Sequence, residues 1–181
     1  MSSPHELYTV FNITDDKKAV PIANYYYNDK TIATERGDIY SGEVLTTIGS
    51  SGTYTLHIKT SSTKDTYLMD FSIATDSERV SEMVYENPTI TDGSTALTMI
   101  NTNRQTANTF TGTVYTDSTV SSVGTLIDEN EVFEAKKSLG GLGANNGFRI
   151  LLEKDEDYII QVVNGDNTVR NFFIKFHLYE R

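Results

Sequence analysis

The chain of 181 residues contains no cysteine and no tryptophan, and only three prolines and three histidines. Without cysteine it can form neither a disulfide framework nor a thiolate metal site. The absence of tryptophan removes the commonest platform on which proteins stack sugars. Basic residues are also scarce, since 15 Lys and Arg stand against 25 Asp and Glu and give a formal net charge of -10. Such a surface repels phosphate backbones, so we expect no nucleic-acid partner.

Long apolar runs are missing as well. The apolar stretches are short and far below the roughly 20 residues that a membrane-spanning helix needs, so we expect no membrane partner. The segment Met1–Leu7 lacks a basic stretch followed by an apolar run, so no signal peptide is predicted. Together with the absence of cysteine, this favours assembly in a reducing cytoplasm.

The feature present throughout the chain is alternation with a period of two. Phe172, Ile174, Phe176 and Leu178 alternate with other side chains, which is typical of a strand with one face in a core. Many Thr, Val, Ile and Tyr residues favour the same structure. We therefore predict an all-β fold, an antiparallel β-sandwich of jelly-roll type. The predicted strands cover residues 7–13, 54–59, 67–74, 96–100, 111–115, 120–127, 148–152, 158–163 and 169–178.

One short helix and two hairpin turns complete this prediction. Thr75 and Glu78 have the spacing of a capping box, and Val80, Met83 and Val84 follow at helical spacing before Pro88. This pattern predicts a helix of about three turns that ends before the proline. Separately, the segments Gly49–Gly52 and Asn164-Gly165 predict hairpin turns.

The length favours a single domain. A chain of 181 residues buries about 70% of its unfolded surface on folding. We find no internal repeat and no linker with a shift in composition. We therefore predict one sandwich domain over residues 1–181, in which residues 1–60 form either an N-terminal arm or extra strands.

Four groups of residues invite a chemical interpretation, and each has a simpler one. The glycine-rich segment 138–147 has the wrong spacing for a phosphate loop and precedes a strand instead of a helix, so it is interpreted as a mobile loop or an inter-subunit arm. His57 and His177 lie at outward positions of strands and are interpreted as surface histidines. The turn around Asp155–Asp157 could bind calcium or be an exposed acidic turn. A catalytic triad could assemble from distant residues, but no nucleophile-elbow motif indicates one. We predict no catalytic residue, cofactor or metal, and therefore no enzyme.

The sharpest polar cluster is the turn Asn101–Arg104. Asn side chains satisfy the backbone of a turn, and Arg offers a planar fork to carboxylates or carbonyls. The cluster predicts a locked turn or a subunit contact, and its simpler alternative is a plain turn with a surface arginine.

Residues 78–181 also resemble a family of small structural proteins of tailed bacteriophages. The resemblance lies in the order and spacing of short motifs, although the final strand lacks the usual tryptophan and the turn after Leu152 lacks the usual proline. Those motifs are the Asn101–Arg104 turn, Val114-Tyr115, Gly124-Thr125, the Gly140–Gly147 loop, Leu151-Leu152, Tyr158 and the closing Tyr179-Glu180.

The resemblance implies a component of the virion. It implies a capsid decoration or cement protein on the outside of the head, with the phage major capsid protein as partner and with self-association as a trimer. No catalytic residue carries over from the family. A tail, baseplate or fibre component and a host-glycan-binding module are the alternatives. Interface hot spots tend to be Tyr and Arg, and the expected interface residues are Asn103, Arg104, Tyr115, Gly141, Gly143, Phe173 and Tyr179.

Overall fold

The computed structural model describes residues 33–133 and 150–181, which form two five-stranded antiparallel sheets and one two-stranded sheet. Sheet 1 has the order β10-β3-β12-β1-β6, sheet 2 has the order β7-β2-β11-β4-β9, and β5 pairs with β8. The strands are β1 Ile39–Ile48, β2 Thr53–Lys59, β3 Thr66–Thr75, β4 Arg79–Glu86, β5 Thr89–Thr91, β6 Ile100–Asn101, β7 Thr113–Tyr115, β8 Thr119–Ser122, β9 Thr125–Phe133, β10 Ile150–Leu152, β11 Asp157–Asn164 and β12 Arg170–Glu180.

The strand pairing is that of a jelly roll. β1 pairs with β12, β2 with β11, β3 with β10, and β4 with β9, all antiparallel. The first half of the chain therefore pairs with the second half in nested order, as when a long hairpin is rolled into two facing sheets. The prediction of an antiparallel jelly-roll sandwich is confirmed.

The core lies between the two sheets and is built from alternating side chains. From β12 it takes Phe172, Ile174, Phe176 and Leu178, all fully buried. Sheet 2 contributes Leu56, Ile58, Ile160 and Val162 to the same cluster. Because successive side chains of a strand point to opposite faces, the period of two in the sequence places these residues together. Burying each such side chain contributes about 1.5–3 kcal/mol.

The predicted helix after Thr75 is wrong, because this segment forms strand β4. Val80, Glu82 and Val84 are its buried residues and alternate with half-buried Ser81 and Met83. A carboxylate at the middle inward position hides the period of two and leaves Val80, Met83 and Val84 as an apparent helical stripe. In the described residues, helix occurs only as one turn over residues 33–36.

Both predicted hairpin turns are also wrong, because each connects one sheet to the other. Residues 49–52 join β1 in sheet 1 to β2 in sheet 2, and residues 165–169 join β11 in sheet 2 to β12 in sheet 1. At the second crossing the buried Asn164 side chain donates to the carbonyls of Ile48, Gly49 and Thr168 at 3.2, 2.9 and 2.8 Å. Its Oδ1 accepts from the Ser77 hydroxyl at 2.9 Å. Asn164 therefore holds the two crossings together.

For residues 1–60 we predicted either an arm or extra strands, and the structure describes this part of the chain from residue 33 onward. Residues 39–48 and 53–59 are β1 and β2, so this part of the chain supplies strands to the sandwich. The predicted strand over residues 7–13 lies outside the described residues. Within the predicted strand 96–100, only two residues pair with another strand. Ala96 forms an isolated bridge to Tyr115, and Ile100 is the first residue of β6. The described residues contain no helix with the length and apolar character needed to cross a bilayer.

A long connection between β4 and β9 positions the candidate site. Residues 87–124, here called the insertion, carry β5, β6, β7 and β8. Part of this insertion lies against the outer face of sheet 2, where His57 and Ile159 are both fully buried although they point away from the core. Glu180 fixes another part, since its carboxylate accepts from the backbone amides of Thr111 and Gly112 and from the Thr111 hydroxyl.

Candidate functional site

The outer face of sheet 1 exposes an apolar pair. Leu45 of β1 and Phe173 of β12 are paired residues, and they expose 79% and 40% of their surface. Ala74 of β3 is the partner of Phe173 on the other side, so the three form one row across the sheet. We call these residues the apolar row. On one side it is bordered by the exposed ion pair of Lys175 and Glu43, with 2.7 Å between Nζ and Oε1.

Tyr179 lies on the same face but is half-buried. Its ring centroid is 5.5 Å from that of Tyr67, and it packs against a cluster of Ala33, Ile39 and Met69. Burial raises the pKa of its hydroxyl. Tyr179 therefore contributes to the internal packing of this end of sheet 1, and its role in an interface stays a prediction.

Asn103 and Arg104 lie in the loop between β6 and β7. The Asn103 amide donates to the carbonyl of Glu35 at 2.7 Å, and its Oδ1 accepts from the backbone N–H of Gln105 at 2.9 Å. Asn101 Oδ1 accepts from the backbone N–H of Asn103 at 2.8 Å. The side chains of Asn101 and Asn103 thus lock the turn, as the first interpretation of this cluster predicts. Arg104 is exposed.

The predicted interface residues do not share one surface. Phe173 and Tyr179 belong to the outer face of sheet 1, whereas Tyr115 belongs to the outer face of sheet 2, where its ring stacks on His57 at 5.4 Å between centroids. The thickness of the sandwich separates these two faces. Gly141 and Gly143 lie outside the described residues.

His57 is not a surface histidine, which corrects the sequence interpretation. The residue points outward from β2, as expected, but the insertion covers it and its side chain is 0% exposed. Both ring nitrogens are bonded: Nδ1 lies 2.9 Å from Ser118 Oγ, and Nε2 lies 2.9 Å from Asp157 Oδ1. Ser118 Oγ also accepts from the backbone N–H of Gly93 at 3.0 Å. The imidazole therefore joins β2 to the insertion and to β11.

A second carboxylate completes the cluster. Asp92, just after β5, lies with His57 and Asp157 such that one ligand atom of each falls within 4.8 Å of the others. Asp92 also accepts from Lys59 at 3.0 Å, and this hydrogen bond raises the pKa of the Lys59 ammonium. Lys59 is the partner of Asp157 in the pairing of β2 with β11. One buried imidazole, two carboxylates and one ammonium thus meet at the edge of the insertion.

Ser118, His57 and Asp157 form a hydroxyl–imidazole–carboxylate chain, the set of groups that a serine hydrolase uses. The ring nitrogens are exchanged relative to that arrangement, in which the carboxylate bonds Nδ1 and the hydroxyl bonds Nε2. Asp157 belongs to the acidic turn that the sequence singled out, whereas Asp92 and Ser118 were missed. Their positions, 35 and 61 residues from His57, carry no local spacing signal. Only the tertiary contact of the insertion brings them together.

Comparison with known proteins adds no relative. No protein-family model matches the chain, and no curated protein matches it.

Proposed function

We propose that this chain is a structural protein of a bacteriophage virion, a decoration protein that binds the outside of the capsid and reinforces contacts between capsid subunits. Two lines support the proposal. The motifs in residues 78–181 resemble those of small phage structural proteins, and the jelly-roll sandwich is an architecture that viral capsid proteins use.

The apolar row is the observation that carries the binding part of the proposal. Leu45 and Phe173 expose apolar surface side by side on the outer face of sheet 1. Aromatic and aliphatic side chains in such a position serve as anchors when a partner covers them and excludes water. The acidic net charge of -10 keeps free subunits apart before they meet the capsid.

Rebinding to capsids tests the proposal. Particles that lack the protein are incubated with purified wild type, Leu45→Glu or Phe173→Glu, and occupancy is measured after sedimentation. A charge placed in the apolar row should lower occupancy at least about tenfold. Ser121→Glu adds the same charge at an exposed position of β8, away from sheet 1, and should bind like wild type. Equal occupancy for all four proteins, or particles equally stable with and without the protein, would contradict the proposal.

Imaging and ligand screens separate the alternatives. Density for the protein on the tail, baseplate or fibre would replace the head assignment. Selective binding on a glycan array would favour the adsorption module instead. Covalent labelling of Ser118 by a fluorophosphonate would favour a hydrolase, because only an activated serine reacts with such a probe.

A further inference from the structure

We propose that His57, Asp92 and Asp157 form a binding site for a divalent transition-metal ion such as Zn²⁺. The three ligand atoms, one imidazole nitrogen and two carboxylate oxygens, lie within 4.8 Å of one another. The site lies on the outer face of sheet 2, apart from the apolar row, and does not depend on the proposed capsid function.

Three separate parts of the fold deliver the ligands. His57 extends from β2 and Asp157 begins β11, so both stand on the same face of two paired strands. Asp92 comes from the insertion, directly after β5. A metal ion bound by all three would therefore connect the insertion to sheet 2.

The chemistry of the ligand set favours zinc-type ions over calcium. Imidazole is a ligand for Zn²⁺ and similar ions, whereas Ca²⁺ takes oxygen ligands almost alone. Metal–ligand bonds of about 2.0–2.2 Å place two ligands of a tetrahedral ion about 3.4 Å apart. His57 Nε2 and Asp157 Oδ1 are already 2.9 Å apart. Asp92 is 43% exposed, so it can close the remaining distance without disturbing the core.

The imidazole is already oriented for this role. A metal at Nε2 displaces the proton that this nitrogen donates to Asp157, which is released to solvent, and the ring proton then lies on Nδ1, 2.9 Å from Ser118 Oγ, which can accept it. Histidines that bind metals commonly donate their second ring N–H to such a group, which fixes both tautomer and ring position. The stacked ring of Tyr115 and complete burial hold the imidazole further. The His57 side chain is therefore already ordered, and metal binding costs little of its conformational entropy.

Lys59 competes with the metal. Its ammonium lies 3.0 Å from Asp92 Oδ2 and adds one positive charge beside two carboxylates. A divalent ion neutralises both carboxylates, and Lys59 can leave because its side chain is 45% exposed. Removing this ammonium should therefore strengthen metal binding, an effect opposite to that of removing a ligand.

Titration of the purified full-length chain with Zn²⁺ or Co²⁺ alone tests the site. After treatment with a chelator, wild type should bind one saturable equivalent by calorimetry, and the visible absorption of Co²⁺ should report nitrogen and oxygen ligation. Asp92→Asn and Asp157→Asn should weaken binding at least about tenfold. Lys59→Met should tighten it about fivefold, since a neighbouring charge of this kind contributes about 1 kcal/mol. The side chains of Lys59, Asp92 and Asp157 are all partly exposed, so these variants should fold.

The second His–Asp pair of the protein is the matched control. His177 Nδ1 bonds Asp70 Oδ1 on the outer face of sheet 1, and within the described residues this pair belongs to no group of three possible ligands. His177→Gln should bind metal like wild type. The proposal is overturned if wild type and Lys59→Met both show no saturable binding up to about 1 mM. It is equally overturned if Asp92→Asn binds as tightly as wild type, or if only Ca²⁺ binds.

Discussion

Asn164 connects the two crossings between the sheets through its buried side chain. Its amide and carbonyl make five hydrogen bonds, and both groups are buried at the point where two crossings meet. The sequence context Asn-Gly is typical of a hairpin turn, and this signal misled the sequence interpretation. The same asparagine properties that suit a turn also serve here: the amide N–H groups donate to the carbonyls of Ile48 and Gly49 in the other crossing, and Oδ1 accepts from the Ser77 hydroxyl.

Replacing Asn164 by alanine should lower the free energy of unfolding by about 2–4 kcal/mol, because the variant leaves buried carbonyls without donors. Urea denaturation measures this change. Asn171→Ala is the matched control, since Asn171 is exposed on β12, and it should cost no more than about 0.5 kcal/mol. Equal stability of the two variants would show that the Asn164 bonds do not hold the crossings.

At the scale of the element, β4 shows how one inward-facing polar residue can mask the alternating pattern by which a strand is recognised in a sequence. Glu82 is buried between Val80 and Val84 on the inward side. Burial, and then the charge of Asp128, raise the pKa of its carboxyl to about 7. The residue is an inward-facing acid, and pattern reasoning assigns acids to the outside. By contrast, β2, β3, β11 and β12, which supply mainly apolar side chains to the core, were all predicted from the sequence.

Glu82 should make stability depend on pH. Below about 4.5 the carboxyl is protonated in both the folded and the unfolded chain, so it carries no ionisation cost. As pH rises from 4.5 to about 7, the unfolded chain loses this proton while the folded chain keeps it, so the free energy of unfolding falls. The total loss is about 3 kcal/mol and is complete above pH 7.

Glu82→Gln removes this titration. The stability of the variant relative to wild type should therefore rise by about 2–3 kcal/mol between pH 4.5 and pH 8, as measured by urea denaturation at each pH. Glu129→Gln changes an exposed glutamate of the neighbouring strand β9 and should show no such rise. Parallel curves for wild type and Glu82→Gln would contradict the assignment.

For the whole molecule, the sequence predicted the architecture better than the connections. Alternating apolar residues identify strands and their inward faces, and length with composition indicates one sandwich. Which strands are neighbours depends on pairing between distant segments, such as β1 with β12, and a single sequence carries no local signal of it. The same limit explains the site, since His57, Asp92, Asp157 and Ser118 meet only after the insertion packs on sheet 2.

Strand β12 should be required for folding of the whole sandwich. It lies between β1 and β3 and contributes four fully buried side chains to the core. A chain that ends at Val169 should lack a cooperative thermal transition in near-ultraviolet circular dichroism. The double variant Lys175→Thr and His177→Thr changes only half-buried side chains of the same strand and should keep the transition. A cooperative transition in the shortened chain would contradict this view.

The central place of β12 also has a consequence during synthesis in the cell. A ribosome that adds about 5–20 residues per second needs about 5–21 s to pass from residue 75, where β3 ends, to residue 180, where β12 ends. Throughout this interval the nascent chain contains β1 and β3 but lacks β12, the strand that lies between them in the sheet. Unpaired strand edges recruit chaperones or other unfinished chains. We therefore expect chaperone binding or misassembly to occur mainly before β12 has been synthesised.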